Sequence, residues 1–172
     1  MKASGELPYG QVPLLVVDGR HKIAQSAAII RFIGKLSGLY PEDPVTAAMA
    51  DSLIDEEIDL FMGLSVSRYR DRFGFGSLTE DIVATVRRAL NDEVLPKHLS
   101  FFESVLEKSP TGWLCGTEDP CIADFVLVPR LQWLASGVND GISLEILEPF
   151  PQVKGLIDKL MGLEKIQQYY NN

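Results

Sequence analysis

The spacing of apolar positions along this chain changes character once, near residue 26. Before that point residues 13–17 form a short apolar run, Asp18-Gly19 follows, and Lys22-Ile23-Ala24 returns to partly apolar character. That order predicts a buried strand, a tight turn and a return strand. After it, Ile29, Ile33 and Leu36 recur at helical spacing behind Ser26, a candidate cap, and Gly38 is placed to stop the helix in the left-handed conformation. Residues 39–42 read as a linker. Asp43-Pro44 then opens a second helix, with an acidic cap and a proline at its first position. Its apolar stripe, through Met49, Leu53, Ile54, Phe61 and Leu64, runs to about Tyr69, an unusual length.

Gly74-Phe75-Gly76 breaks that stripe, and Ser77-Leu78-Thr79-Glu80 has the form of a capping box. Ile82, Val83, Val86, Leu90 and Val94 follow at helical spacing. Pro96 is expected to kink or interrupt the helix before Leu99, Phe102, Val105 and Leu106 resume it. Pro110-Thr111-Gly112 ends this stretch. Trp113-Leu114 links it to Asp119-Pro120, a further capped start, for a core helix carrying Ile122, Phe125, Val126 and Leu131 with a bend at Pro129. Two shorter helices, near 143–147 and 151–163, lead to a polar tail at 169–172. The expected architecture is a hairpin and one helix followed by an all-helical bundle. A two-stranded sheet with one helix is not stable alone, so it must lean on the bundle.

Composition narrows the chemistry. At 172 residues and 46% hydrophobic, the chain can bury a core as one domain or as two small ones that share it. A net charge of -8, with no basic arm, repels nucleic acid and anionic membrane surfaces, so an anionic ligand would need a local site. Cys115 and Cys121, with His21 and His98 remote from them, cannot build a four-ligand zinc site; no structural metal is expected, and reduced, packed thiols are. No apolar run approaches the roughly 20 residues of a membrane span and no signal-type start is visible, so a cytoplasmic location is the default.

The candidate binding residues are Gln11-Val12-Pro13 and Gln25-Ser26. X–Pro is the peptide bond that adopts cis at an appreciable rate, and a cis bond here would leave the Val12 backbone free to pair with an extended ligand as an added strand does. Ser26 would offer its hydroxyl, and the first turn of its helix would offer unpaired N–H groups, to a carboxylate. The same residues also suit an ordinary hairpin with a serine cap.

Tyr9-Gly10-Gln11-Val12-Pro13, Asp18-Gly19, Gln25-Ser26 with Ile30-Arg31, and Gly38-Leu39-Tyr40 resemble the second half of the thioredoxin-like domain of soluble glutathione transferases. Trp113-Leu114-Cys115-Gly116 and Ile122-Ala123-Asp124-Phe125 are similar to that family's helical-domain core signature, with Cys121 where the family has Ser or Thr. The resemblance runs through essentially the whole chain and is nearest the pi, sigma and related tyrosine-type classes. It implies an α+β/α fold: the C-terminal part of a thioredoxin-like domain over residues 1–39, then an all-helical C-terminal domain over residues 43–172. It implies glutathione as co-substrate and no metal. It also implies conjugation of glutathione's thiol to hydrophobic electrophiles, a detoxification chemistry.

Residue by residue, the resemblance implies that Val12 pairs its backbone with the cysteinyl part of glutathione before a cis Pro13. Gln25 and Ser26 would hold the γ-glutamyl carboxylate, Gln11 would touch the ligand near its backbone, and Lys2 would reach the glycyl carboxylate. Asp59 matches an acidic residue that completes the partner subunit's γ-glutamyl site. Tyr69 stands where an aromatic lines the electrophile pocket, and Tyr9 matches a key residue at the dimer contact, so a homodimer is expected. The family's catalytic hydroxyl, near the end of its first strand, has no counterpart, because only about ten residues precede Gln11 and a βαβ unit needs roughly 30. No catalytic residue is therefore assigned, and a shortened form of a longer transferase is the simplest expectation. A non-catalytic binding or assembly module on the same fold, or a glutathione-dependent isomerase or peroxidase, shares every residue named. A capping role for Asp119 is expected, since a thiol at Cys121 caps poorly.

Overall fold

A computed structural model describes residues 7–171. Strands β1 (Leu14–Val17) and β2 (His21–Ala24) form an antiparallel hairpin in which Leu14 faces Ala24 and Val17 faces His21. Asp18 and Gly19 both take positive φ (51° and 68°), as the tight hairpin turn requires, and Arg20 N–H donates to the Val17 carbonyl at 3.0 Å. Seven α-helices follow: α1 (Ser26–Ser37), α2 (Pro44–Arg68), α3 (Glu80–Ala89), α4 (Leu95–Glu107), α5 (Ile122–Leu134), α6 (Pro151–Met161) and α7 (Glu164–Tyr170). Gly38 ends α1 in the left-handed conformation, and the Asp43 carboxylate accepts from Thr46 N–H at 2.8 Å to cap α2. The long second helix and its start were therefore legible residue by residue.

The core belongs to the bundle. Ile54, Leu60 and Phe61 of α2, Leu95, Leu99 and Phe102 of α4, Leu127, Val128 and Leu131 of α5, and Val153 and Leu156 of α6 are all essentially buried, with Trp113 and Leu114 closing one side. The hairpin is different. The strand expected to be buried is only half-buried, and Val16 is exposed; its packing partner is α1, through β2. The fold is thus the hairpin-and-helix part of a thioredoxin-like domain set on an all-helical bundle.

At α1, two ties hold the small part to the large one. Gly34 lets α1 approach α5 so closely that a Cβ there would lie 2.1 Å from Ile122 Cδ1, and Ile122 N–H donates to the Leu39 carbonyl at 2.9 Å. Beside this contact, Arg31 bonds the Asp51 carboxylate and reaches Asp55 Oδ1 at 2.8 Å, while Tyr40 donates its hydroxyl to Asp51 Oδ2 at 2.6 Å. Burial alone would push the Asp51 carboxyl up. The bonds from Tyr40 and Arg31, with the Arg31 and Lys35 charges, outweigh it and hold the group below the usual carboxylate range.

Several local expectations give way to these contacts. The Ile33–Leu36 stripe points outward: the buried face of α1 carries Gly34, with Ala27 and Ile30 packed on the core, because the close approach at Ile122 fixes the helix's rotation. Ser26 is not the cap of α1 but its first residue, and Gln25 holds the cap position without a side-chain bond. The capping box at 77–80 does not form. Arg70 takes the Glu80 carboxylate at 2.6 Å and the Leu78 carbonyl at 2.8 Å, and α3 starts uncapped after Thr79. The interruption expected at Pro96 falls just before it, where α3 ends and α4 begins. Pro96 sits in the first turn of α4, where its missing N–H costs little, and a wide π turn over Leu90–Val94 joins α4 to α3.

At α5 it is Cys121, not Asp119, that holds the cap position. The capping box forms in both directions: the Cys121 side chain accepts from the Asp124 N–H, and the buried Asp124 carboxylate accepts from Cys121 N–H at 2.8 Å and also from Leu114 N–H at 2.9 Å. Both thiols are free. Residues 143–147 form successive turns rather than a helix, and Ser143 N–H donates to Asn91 Oδ1 at 2.7 Å. Tyr169 and Tyr170 continue the helical run as the end of α7.

Candidate functional site

Where the start of the hairpin meets the start of α1, the chain encloses a cavity of about 210 Å³ lined by Tyr9, Gln11, Val12, Pro13, Ala24, Gln25, Ser26 and Arg72. The Val12–Pro13 peptide bond is cis, Val12 is 66% exposed, and no described residue bonds its backbone groups. On the facing side Gln25 holds φ 73°, a conformation uncommon for a residue with a side chain. With no side-chain cap and no acidic residue in the first turn, the first intrahelical bond of α1 is Ile29 N–H to the Gln25 carbonyl, and the earlier N–H groups have no acceptor among the described residues. Such a helix start carries a partial positive charge and favours an anion.

One lining residue escaped the sequence reading. Arg72 lies in a 3₁₀ turn, Arg70–Phe73, that follows α2, and its guanidinium donates to Gln11 Oε1 at 2.6 Å. Sixty-one positions separate the two in sequence. The one available signal was the closeness of Arg72 to Tyr69 at the end of a long helix, which says nothing of Gln11. Tyr69 itself, 55% exposed, lines a neighbouring hollow of about 310 Å³ with Ile58, Met62, Ser65, Arg72 and Phe73. Arg72 thus borders both spaces.

A third space, a cleft of about 560 Å³, separates α1 from α2 and α5. Gln25, Ser26 and Ile30 line it from one side and Ile54, Phe61 and Phe125 from the other. Its charged element is the pair of Glu57, buried, and Arg130, whose Nε donates to Glu57 Oε1 at 2.6 Å while its guanidinium lies 4.0 Å from the Phe61 ring centre. Neither Glu57 nor Arg130 was anticipated, because only the packing of α2 on α5 brings them together.

Of the residues singled out from the sequence, the structure therefore gathers Tyr9, Gln11, Val12, Pro13, Gln25 and Ser26 about one cavity and sets Tyr69 on the adjoining hollow. Asp59 stands apart, exposed on α2 and lining none of the three spaces. Lys2 lies outside the described residues. Among the described residues there is no cluster of three or more His, Cys, Asp or Glu side chains that could hold a metal, and no helix long and apolar enough to cross a membrane.

A hairpin and helix that form part of a thioredoxin-like domain, with a polar cavity at the helix start and an all-helical second domain behind it, define the fold class. Comparison with known proteins narrows this class. The family model described as glutathione S-transferase, C-terminal domain, matches residues 78–172. Glutathione S-transferase 1 of Ascaris suum is 32% identical over 165 residues, which cover 94% of this chain and 73% of that protein. A glutathione S-transferase of Anopheles gambiae is 28% identical over 164 residues, covering 95% and 73%. Among solved structures, prostaglandin synthase D of Nilaparvata lugens matches with a TM-score of 0.80 at 26% identity, over 96% of this chain and 76% of that one. Monomeric Na-GST-3, a glutathione S-transferase of Necator americanus, matches with a TM-score of 0.74 at 28% identity, over 97% and 76%. This chain belongs to the glutathione S-transferase family.

Proposed function

We propose that the cavity beside Ser26 binds glutathione and that the protein conjugates glutathione's thiol to hydrophobic electrophiles that enter beside Tyr69. The observation that carries this reading is the convergence of Gln11, Val12, Pro13, Gln25 and Ser26, from two separate segments, on one cavity at an uncapped helix start. The γ-glutamyl carboxylate would take the free N–H groups of α1 with the Ser26 hydroxyl and the Gln25 amide. The cysteinyl main chain would pair with Val12, which puts the sulfur toward the space that Tyr69 borders. In the reaction the thiol gives its proton to water, and the sulfur's electron pair forms the S–C bond. The electrophile's leaving group departs with the electrons of the broken bond, or, on addition to a double bond, the displaced pair takes up a proton.

On this reading residues 1–39 are the glutathione-binding part and residues 43–172 the helical domain. Lys2 would serve the glycyl carboxylate. Asp59, exposed and away from the cavity of its own chain, suits a role in a partner's site, and Tyr9, 64% exposed at the cavity's edge, suits a subunit contact. A homodimer follows, acting in the cytoplasm against reactive electrophiles. Light scattering at micromolar concentration should report twice the mass of the chain; a monomer would remove the partner roles of Tyr9 and Asp59.

Calorimetric titration of the purified chain with glutathione, followed by a conjugation assay with an aryl halide, tests the function. Saturable binding with conjugate formation supports the proposal. No heat at millimolar glutathione would refute it. The match to a prostaglandin synthase supports one second reading, glutathione-dependent isomerisation of a lipid, which product analysis separates from conjugation.

A further inference from the structure

Glutathione carries a group that neither Ser26 nor Val12 serves, its thiol. A free cysteine thiol titrates near 8.5, so at neutral pH only a few per cent is the reactive anion. A protein that uses the sulfur as nucleophile must place positive charge or a hydrogen-bond donor beside it.

Among the described residues, Arg72 is the one charged side chain on the wall of the small cavity and on the wall of the hollow that Ile58, Met62 and Tyr69 line; a further hollow beside Tyr69, of about 480 Å³, also carries Arg68, Arg70 and Asp71. Its bond to Gln11 Oε1 sets it on the Gln11–Val12 side, where the cysteinyl main chain would pair, rather than at the helix start that would take the γ-glutamyl carboxylate. The Phe73 ring lies 5.3 Å from its guanidinium carbon and adds a second constraint on the side chain. A fork of five donors spends one on Gln11 and keeps others for a ligand. The residue therefore stands at the seam between the polar cradle and the apolar hollow, which is where a thiol must lie to meet an apolar electrophile.

We propose that Arg72 stabilises the sulfur anion of bound glutathione and so acts as a catalytic residue of this chain. The inference rests on the reading that glutathione occupies the cavity. Arginine remains charged at every pH the protein meets, so its effect on the sulfur is always present. An opposite charge within about 4–6 Å lowers a thiol's titration point by about one unit or more, and one unit is tenfold in the anion fraction.

The test compares the parent chain with Arg72→Gln and Arg72→Lys. Arg72 is exposed, so both variants should fold. The readout is the ultraviolet absorbance of the thiolate of bound glutathione across pH, with calorimetric affinity at pH 6 and the rate of conjugation to an aryl halide at pH 7. In Arg72→Gln the bound thiol should titrate about one unit higher and kcat/KM should fall about tenfold. Affinity at pH 6, where the thiol is protonated either way, should change less than about threefold. Arg72→Lys keeps the charge and should recover most of the shift. An unchanged titration point in Arg72→Gln would overturn the proposal. So would a tenfold loss of affinity at pH 6, which would make Arg72 an anchor for a carboxylate of the peptide. If the parent chain binds no glutathione, the functional reading itself has failed; if it binds and the variants match it, only the role of Arg72 has.

Discussion

Ser26 shows how much a single position can change meaning between sequence and structure. Its hydroxyl suits a cap, but Gln25 takes the cap position at φ 73° with its side chain unengaged, and Ser26 becomes the first helical residue at the cavity wall. The hydroxyl is then left for a ligand. A hydrogen bond to a charged group contributes about 1.5–3 kcal/mol. Ser26→Ala should therefore weaken glutathione binding by that much, about 10- to 150-fold by calorimetry, with little change in thermal stability because no cap is lost. Unchanged affinity would take Ser26 out of the site. Cys121 and Asp124 teach the complementary point: the expected signature stood at the right place, and the box closes with a thiol in the hydroxyl's position while the carboxylate takes a second backbone N–H, that of Leu114.

At the scale of elements, the decisive contact is α1 on α5. Gly34 is the one fully buried residue of α1, and a methyl group there would collide with the tip of Ile122, itself 3% exposed. Overpacking of this kind typically costs about 1–3 kcal/mol. Gly34→Ala should lower stability by that amount in denaturant unfolding even though alanine favours helix. Ile122→Ala should relieve part of the cost, so the double variant should be less destabilised than the sum of the two single changes. Strict additivity would mean that the helices part instead of clashing. The same contact explains why Ile33 and Leu36 face outward: a sequence stripe says which residues share a face, and the neighbouring helix decides which face is buried.

For the molecule as a whole, the question is how a small hairpin unit stays on a bundle that holds nearly all of the core. The Arg31–Asp51–Tyr40 network answers part of it, since it joins α1 and the loop after it to α2. Asp51 is held below the ordinary carboxylate range, so its contribution is present above the unfolded value near 3.9 and is lost as pH falls through the lower, folded one. Stability should drop in that acid window. Asp51→Asn should flatten the drop and cost about 1 kcal/mol at neutral pH, a modest figure because the pair is partly exposed and screened. Equal acid slopes in parent and variant would place the sensitivity elsewhere.

The hairpin turn at Asp18-Gly19, the stop at Gly38, the start at Asp43-Pro44 and the length of α2 were all readable from neighbouring residues, because turns and caps are settled within about four positions of chain. The family and most of the cradle were readable for the same reason: Gln11-Val12-Pro13 and Gln25-Ser26 are short, contiguous motifs. What tertiary structure alone decided involved partners far apart in sequence. Glu80 bonds Arg70 instead of its own helix start, Ser143 N–H bonds Asn91 Oδ1, and Arg72 bonds Gln11 at the cavity. Each of these groups had several acceptors or donors within chemical reach, and the packing of helices, which sets the distances, selected one.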